Sequence, residues 1–111
     1  MSDDDEPFEE PLRIEAKHES SEATIVLKGE FDMTGTALFW SHVSQALAMR
    51  PATIVVEARS LTFIDSSGLA ALVRARDAAA GAGVAFGIRE PSPALRRIVE
   101  LMGLEDLLPE E

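Results

Sequence analysis

The chain has 111 residues, 46% of them apolar, enough for one hydrophobic core and one domain. It contains no cysteine, which excludes disulfides, thiolate metal sites and cysteine nucleophiles and suits a reducing cytoplasm, and its apolar runs are too short to span a bilayer. The net charge of -10 sits at the ends: residues 1–11 hold six acids and residues 105–111 four, while ten acids and ten bases balance over residues 12–104, so no basic stripe exists to neutralise nucleic acid phosphates.

Dense like charge with Pro7 and Pro11 predicts a disordered acidic tail over residues 1–11, followed by a single domain over 12–111. Leu12 to Lys17 alternates apolar and charged residues, the period of a half-exposed strand. His18 to Glu22 reads as a polar turn, and Ala23 to Lys28 as the partner strand of a hairpin that Gly29 ends. After Gly29-Glu30-Phe31-Asp32, the threonines of Met33-Thr34-Gly35-Thr36 are placed to cap a helix reaching about Met49, with Phe39, Val43, Ala46 and Leu47 on its apolar stripe. Trp40 falls off that stripe, which leaves two readings, packing at the edge of the core and an outward-pointing contact residue.

Thr53 to Ala58 is β-branched without strict alternation, the pattern of a strand covered on both faces. From Ser66 an Ala-rich helix with Leu69, Leu72, Val73 and Arg76 runs to Ala80, ahead of Gly81 and Gly83. Val84 to Ile88 reads as another short buried strand. Ser92 and Pro93 then open a helix whose face is Leu95, Ile98, Val99 and Met102, with Gly103 as its stop. The alternation predicts an α/β domain, a mixed sheet of four to five strands opened by an antiparallel hairpin and packed with three to four helices.

The chemistry concentrates at Ile64-Asp65-Ser66-Ser67-Gly68-Leu69, where a strand becomes a helix. Asp65 or Ser66 can cap the helix and Gly68 can allow close packing. The same helix end suits a phosphate, because free amides and the helix dipole stabilise an anion on Ser66. Asp32 reads as a turn or cap residue. No Gly-x-Ser-x-Gly elbow or phosphate-binding loop occurs, and His18 in a turn and His42 in a helix lack motif context. The residues therefore give no enzyme, no cofactor and no metal site.

"GEFD" at Gly29 to Asp32, "LTFIDSSGLAAL" at Leu61 to Leu72 and "SPALRRIVELMGLEDLL" at Ser92 to Leu108 together resemble the anti-sigma factor antagonist branch of the STAS domain family. That resemblance implies a cytoplasmic bacterial partner-switching protein of STAS fold that catalyses nothing itself. In its unphosphorylated form such a protein binds an anti-sigma factor that is also a serine kinase, and so frees the sigma factor. Phosphorylation of the serine after the motif aspartate, here Ser66, ends the binding, and a serine phosphatase restores it. Ser67 is the second choice for modification, and Asp32, Asp65, Ser66, Ser67 and Gly68 form the implied partner surface of a monomer or weak dimer that contacts neither nucleic acid nor membrane. Two alternatives stand beside it: a STAS regulatory module of a stress-signalling or transport complex, and an acyl-carrier-like protein. Against the carrier, Ser67-Gly68 interrupts the Asp-Ser-Leu element and strands replace an all-helical bundle.

Overall fold

The computed structural model describes residues 11–109. The acidic tail expected over residues 1–11 falls, except for Pro11, outside them. β1 (Arg13–Glu19) and β2 (Glu22–Phe31) form the antiparallel hairpin, a 3-10 turn comes next at Met33–Gly35, and α1 spans Thr36–Ala48. β3 (Thr53–Ile64), α2 (Ser66–Gly81), β4 (Ala85–Arg89) and α3 (Pro93–Met102) complete the order, with a final 3-10 turn at Glu105–Leu107. The sheet runs β1-β2-β3-β4, and β2, β3 and β4 are parallel.

This sequential order decides where the helices go. Two crossovers that step in the same direction across a parallel sheet, each with the usual right hand, deposit α1 and α2 on the same face. Ala23, Ile25 and Leu27 of β2 and Ile54, Val56 and Ala58 of β3 point to that face and join Phe39, Val43, Leu69, Leu72, Leu95 and Val99 in one buried cluster. Among the described residues the opposite face carries no helix. Lys28 pairs with Glu15 at 3.0 Å, Arg89 with Glu22 at 3.1 Å, and Arg59 with Glu90, and the concavities beside them are lined by strand and loop residues only. The β-branched run in β3 is thus covered by a helical layer on one side, while Val55 on the other is buried at a ladder position between Thr24 of β2 and Gly87 of β4.

Several boundaries move from their predicted positions for identifiable reasons. His18 belongs to β1, because its backbone pairs with Ala23. Gly29 does not end β2; with φ of 93° it sits at a register shift and the strand continues to Phe31. β4 is a sheet edge, with Ile88 buried and Ala85 and Arg89 exposed. On α3, Leu95 and Val99 are buried as expected but Met102 is exposed, at the last turn beyond the sheet. Ser92 Oγ accepts from Leu95 N at 3.2 Å, and Gly103 closes the helix in the left-handed region.

β3 is longer than its apolar core because it holds two irregularities. Val26 pairs with Glu57 and Lys28 with Ser60, then Gly29 with Leu61 and Glu30 with Phe63. Each shift gives β3 one extra residue relative to β2. Buried positions spaced by two, Ile54, Val56 and Ala58, therefore give way to buried positions spaced by three, Leu61 and Ile64.

At the end of this strand Asp65 N donates to Phe31 O at 3.3 Å, and α2 starts so close to β2 that a Cβ on Gly68 would lie 2.5 Å from Phe31 O and 2.9 Å from Ile64 Cγ1. Alanine inside a helix ordinarily gains about 1 kcal/mol over glycine. Here the obstacle is backbone, so Gly68→Ala should instead lower stability by about 1 to 3 kcal/mol, read as a fall in the urea midpoint at unchanged slope.

Candidate functional site

Phe31 and Ile64 are paired neighbours in the parallel ladder, and each is the last residue of its strand. The next residue after each strand is an aspartate in extended conformation that caps the turn or helix beyond it. Asp32 (φ -120°, ψ -166°) accepts from Thr34 N at 3.0 Å and from the Thr34 hydroxyl, opening the 3-10 turn. Asp65 (φ -108°, ψ -171°) accepts from Gly68 N at 3.1 Å, opening α2. Two equivalent strand ends thus bring two carboxylates to the same edge of the sheet.

The expected threonine caps are replaced by this arrangement. Asp32 does the capping, Gly35 stands at the N-cap of α1 without a side-chain bond, and Thr36 Oγ1 donates to Met33 O at 3.0 Å. An ionised carboxylate accepts from two donors better than a hydroxyl, which itself needs a partner for its proton.

Ser66 is the first residue of α2 and is exposed; Ser67 is half-buried. The two hydroxyls face different surroundings. Ser67 lines a groove of about 480 Å³ between α1 and α2, together with Thr36, Ala37, Trp40, Ala71 and Arg74. Of the two readings of Trp40, the structure gives edge packing. The side chain is half-buried against the core, and the Arg74 guanidinium lies 3.9 Å from its ring centroid. Sequence reasoning missed this groove, although Ser67, Ala70, Ala71 and Arg74 fall at i, i+3, i+4 and i+7 and so mark one helical face.

Asp32, Asp65, Ser66, Ser67 and Gly68 all lie at this one end of the sheet. His18 and His42 do not; they line a separate groove between α1 and β1, and His42 Nδ1 is bound to Leu38 O at 3.1 Å. Among the described residues no group of three or more histidines, cysteines or carboxylates is placed to hold a metal ion, and no helix is long and apolar enough to cross a membrane.

The hydrogen bonds from Thr34, first from its side chain and then from its backbone, hold the Asp32 carboxyl below its ordinary value of 3.8. A depressed folded-state value favours the folded protein above the unfolded value, and that contribution is lost as pH falls through the folded one. Thr34→Ala removes the hydroxyl and keeps the amide, so an NMR titration should show the Asp32 carboxyl moving up toward 3.8 without reaching it. Asp65→Ala, which deletes the cap on α2, should cost about 1 kcal/mol in urea unfolding.

Known proteins resemble the chain at both levels. A sequence model of the family described as "Mlab, STAS domain" matches residues 14–109. The STAS-domain containing protein PA14_20770 of Pseudomonas aeruginosa (strain UCBPP-PA14) is 32% identical over 89 residues, 80% of this chain and 87% of that protein. Among solved structures, an anti-sigma factor antagonist from Mycobacterium paratuberculosis superposes with a TM-score of 0.78 at 23% identity, covering 89% of this chain and 84% of that one. The Bacillus cell fate determinant SpoIIAA in its phosphorylated form gives 0.68 at 22% identity, covering 91% of each chain. At these identities the structural likeness is one of fold.

Proposed function

The chain belongs to the STAS domain family, and on that premise we propose that it is an anti-sigma factor antagonist switched by phosphorylation of Ser66. In the unmodified state it binds an anti-sigma factor that is also a serine kinase, and the bound sigma factor is released. The kinase transfers the terminal phosphoryl group of ATP to the Ser66 hydroxyl and so ends the complex; a serine phosphatase hydrolyses the ester. This chain is substrate and ligand, and performs no catalysis.

The observation that carries the reading is the position of Ser66: exposed, on the first turn of α2, directly after a cap and on the edge where two strands present Asp32 and Asp65. A phosphate there meets free helix amides and needs no unfolding, so the fold tolerates it. A docked partner does not. About 1.5 to 2 negative charges arrive beside Asp65, and a surface fitted to a neutral hydroxyl must desolvate a dianion. Half-burial of Ser67 supports its place as second choice, since a kinase must reach the hydroxyl it modifies.

Losing one or two contacts at about 1 to 3 kcal/mol each lowers affinity by roughly 5- to 20,000-fold. Phospho-Ser66 and Ser66→Asp should therefore bind a cognate anti-sigma kinase about 100-fold more weakly than the unmodified chain, measured by calorimetry. Ser66→Ala should bind normally and accept no phosphate, whereas Ser67→Ala should still be phosphorylated. Equal affinity of the phosphorylated and unmodified chains would refute the switch.

Because the matching family model is described only as a STAS domain and not as an antagonist, a second reading stands beside the first, a STAS regulatory module of a stress-signalling or transport complex. Co-purification of the chain with a multisubunit assembly, unaffected by Ser66→Asp, distinguishes that reading from the first.

A further inference from the structure

The sheet ends at β1, whose outer edge pairs with no strand among the described residues. That strand is seven residues long, holds neither proline nor glycine, and is exposed at every position but Ile14. Such an edge presents unpaired backbone donors and acceptors and is a template for another strand unless its side chains forbid it. Its charges also lack partners at home. Glu15 is bonded to Lys28 through Oε2, but among the described residues Arg13, Lys17 and Glu19 make no ion pair.

The order Arg-Ile-Glu-Ala-Lys-His-Glu decides which strand fits. Two copies of β1, antiparallel about a two-fold axis normal to the sheet and centred on Ala16, oppose Arg13 to Glu19, Glu15 to Lys17, Ile14 to His18 and Ala16 to Ala16. Every charge meets its opposite, and symmetry repeats each charge pair. The faces also agree: Ile14, Ala16 and His18 stand beside Leu27, Ile25 and Ala23 on the helix-covered face, while the charged residues lie on the other. Centring the pairing one residue earlier opposes Arg13 to Lys17 and Glu15 to itself; one residue later opposes Glu15 to Glu19 and Lys17 to itself. Charges on an edge strand ordinarily deter pairing, and here they deter the neighbouring symmetric registers while favouring the central one. Ser20, with φ of 54°, turns the chain away just after Glu19, where the run of pairs ends.

We infer that two copies of this chain pair through β1 in that register, joining their sheets into a continuous one with four strands from each copy and all helices on one side. The axis reverses strand direction, so the two aspartate edges face opposite ways and the pairing covers neither. The charge pairs are solvated, and the association weakens with salt. The inference is independent of any role for Ser66.

Sedimentation equilibrium of the full chain should show a monomer–dimer equilibrium whose dissociation constant rises with salt. Arg13→Glu and Glu19→Arg each create like-charge opposition on both sides of the axis and should each weaken self-association about tenfold. An equimolar mixture of the two variants, in which positions 13 and 19 are again opposite in sign across the axis, should recover it. Neither residue has an ion pair within the chain to lose, so both variants should keep the parent urea midpoint. Because the sequence has no cysteine, the register can be read by cross-linking. Under mild oxidation Ala16→Cys, opposite its own copy at a Cα separation of about 4.5 to 5.5 Å, should form a disulfide-linked dimer. His18→Cys, displaced from its own copy by four residues or about 13 to 14 Å, should not. A chain that stays monomeric at millimolar concentration and low salt overturns the inference. So does a dimer that is indifferent to both charge reversals or cross-links equally at 16 and 18, and each of these results leaves the Ser66 switch standing.

Discussion

The contact between the start of α2 and the end of β2 sets the geometry on which the candidate site depends. Asp65 N reaches the Phe31 carbonyl, and Gly68 allows the helix backbone to press against that same carbonyl. Without a Cβ at Gly68 the helix enters directly above the paired strand ends, and the first-turn serine is presented beside two aspartates instead of on a loop of its own. The capping role and the proposed regulatory role of this stretch are therefore one arrangement: the free amides that make Asp65 a useful cap are those that would face an anion on Ser66.

Much of the fold was legible because its signals are local. The Ser92-Pro93 start and Gly103 stop of α3 are backbone chemistry written in single residues, and the stripe through Phe39, Val43 and Ala46 is a helical period. What misled was anything decided by neighbours in space. Gly29 looked like a terminator, since a glycine within a strand and one after it carry the same letter, and only the shifted pairing with β3 separates them. The buried run of β3 read as a strand covered on both faces, yet the helices lie on one face and Val55 is buried on the other, between Thr24 and Gly87 of the adjacent strands.

The site shows the same division. Asp65, Ser66 and Gly68 stood out in the sequence because a strand-to-helix junction is readable from periodicity, and Asp32 only through the "GEFD" element of the family resemblance. Their equivalence as successors of two ladder partners was invisible, because register is a property of the pair. Trp40 could be left only between core edge and surface because its surroundings depend on how two helices lie together, and the partner that holds its ring, Arg74, is remote in the chain and belongs to the other helix.

The two irregularities in β3 have a consequence for how this domain can vary. From Ala58 onward the strand advances three residues for each inward position, so residues 59–63 act as a phase adjuster between a regular ladder and the helix. Removing or adding one residue there would leave every side chain of the early strand in place and turn Ile64 out of the core, carrying the aspartate and serines after it to a different azimuth. The orientation of the junction is thus encoded by a count of residues as much as by their identity, and a domain of this kind can exchange the side chains at residues 59, 60, 62 and 63 more freely than it can change their number.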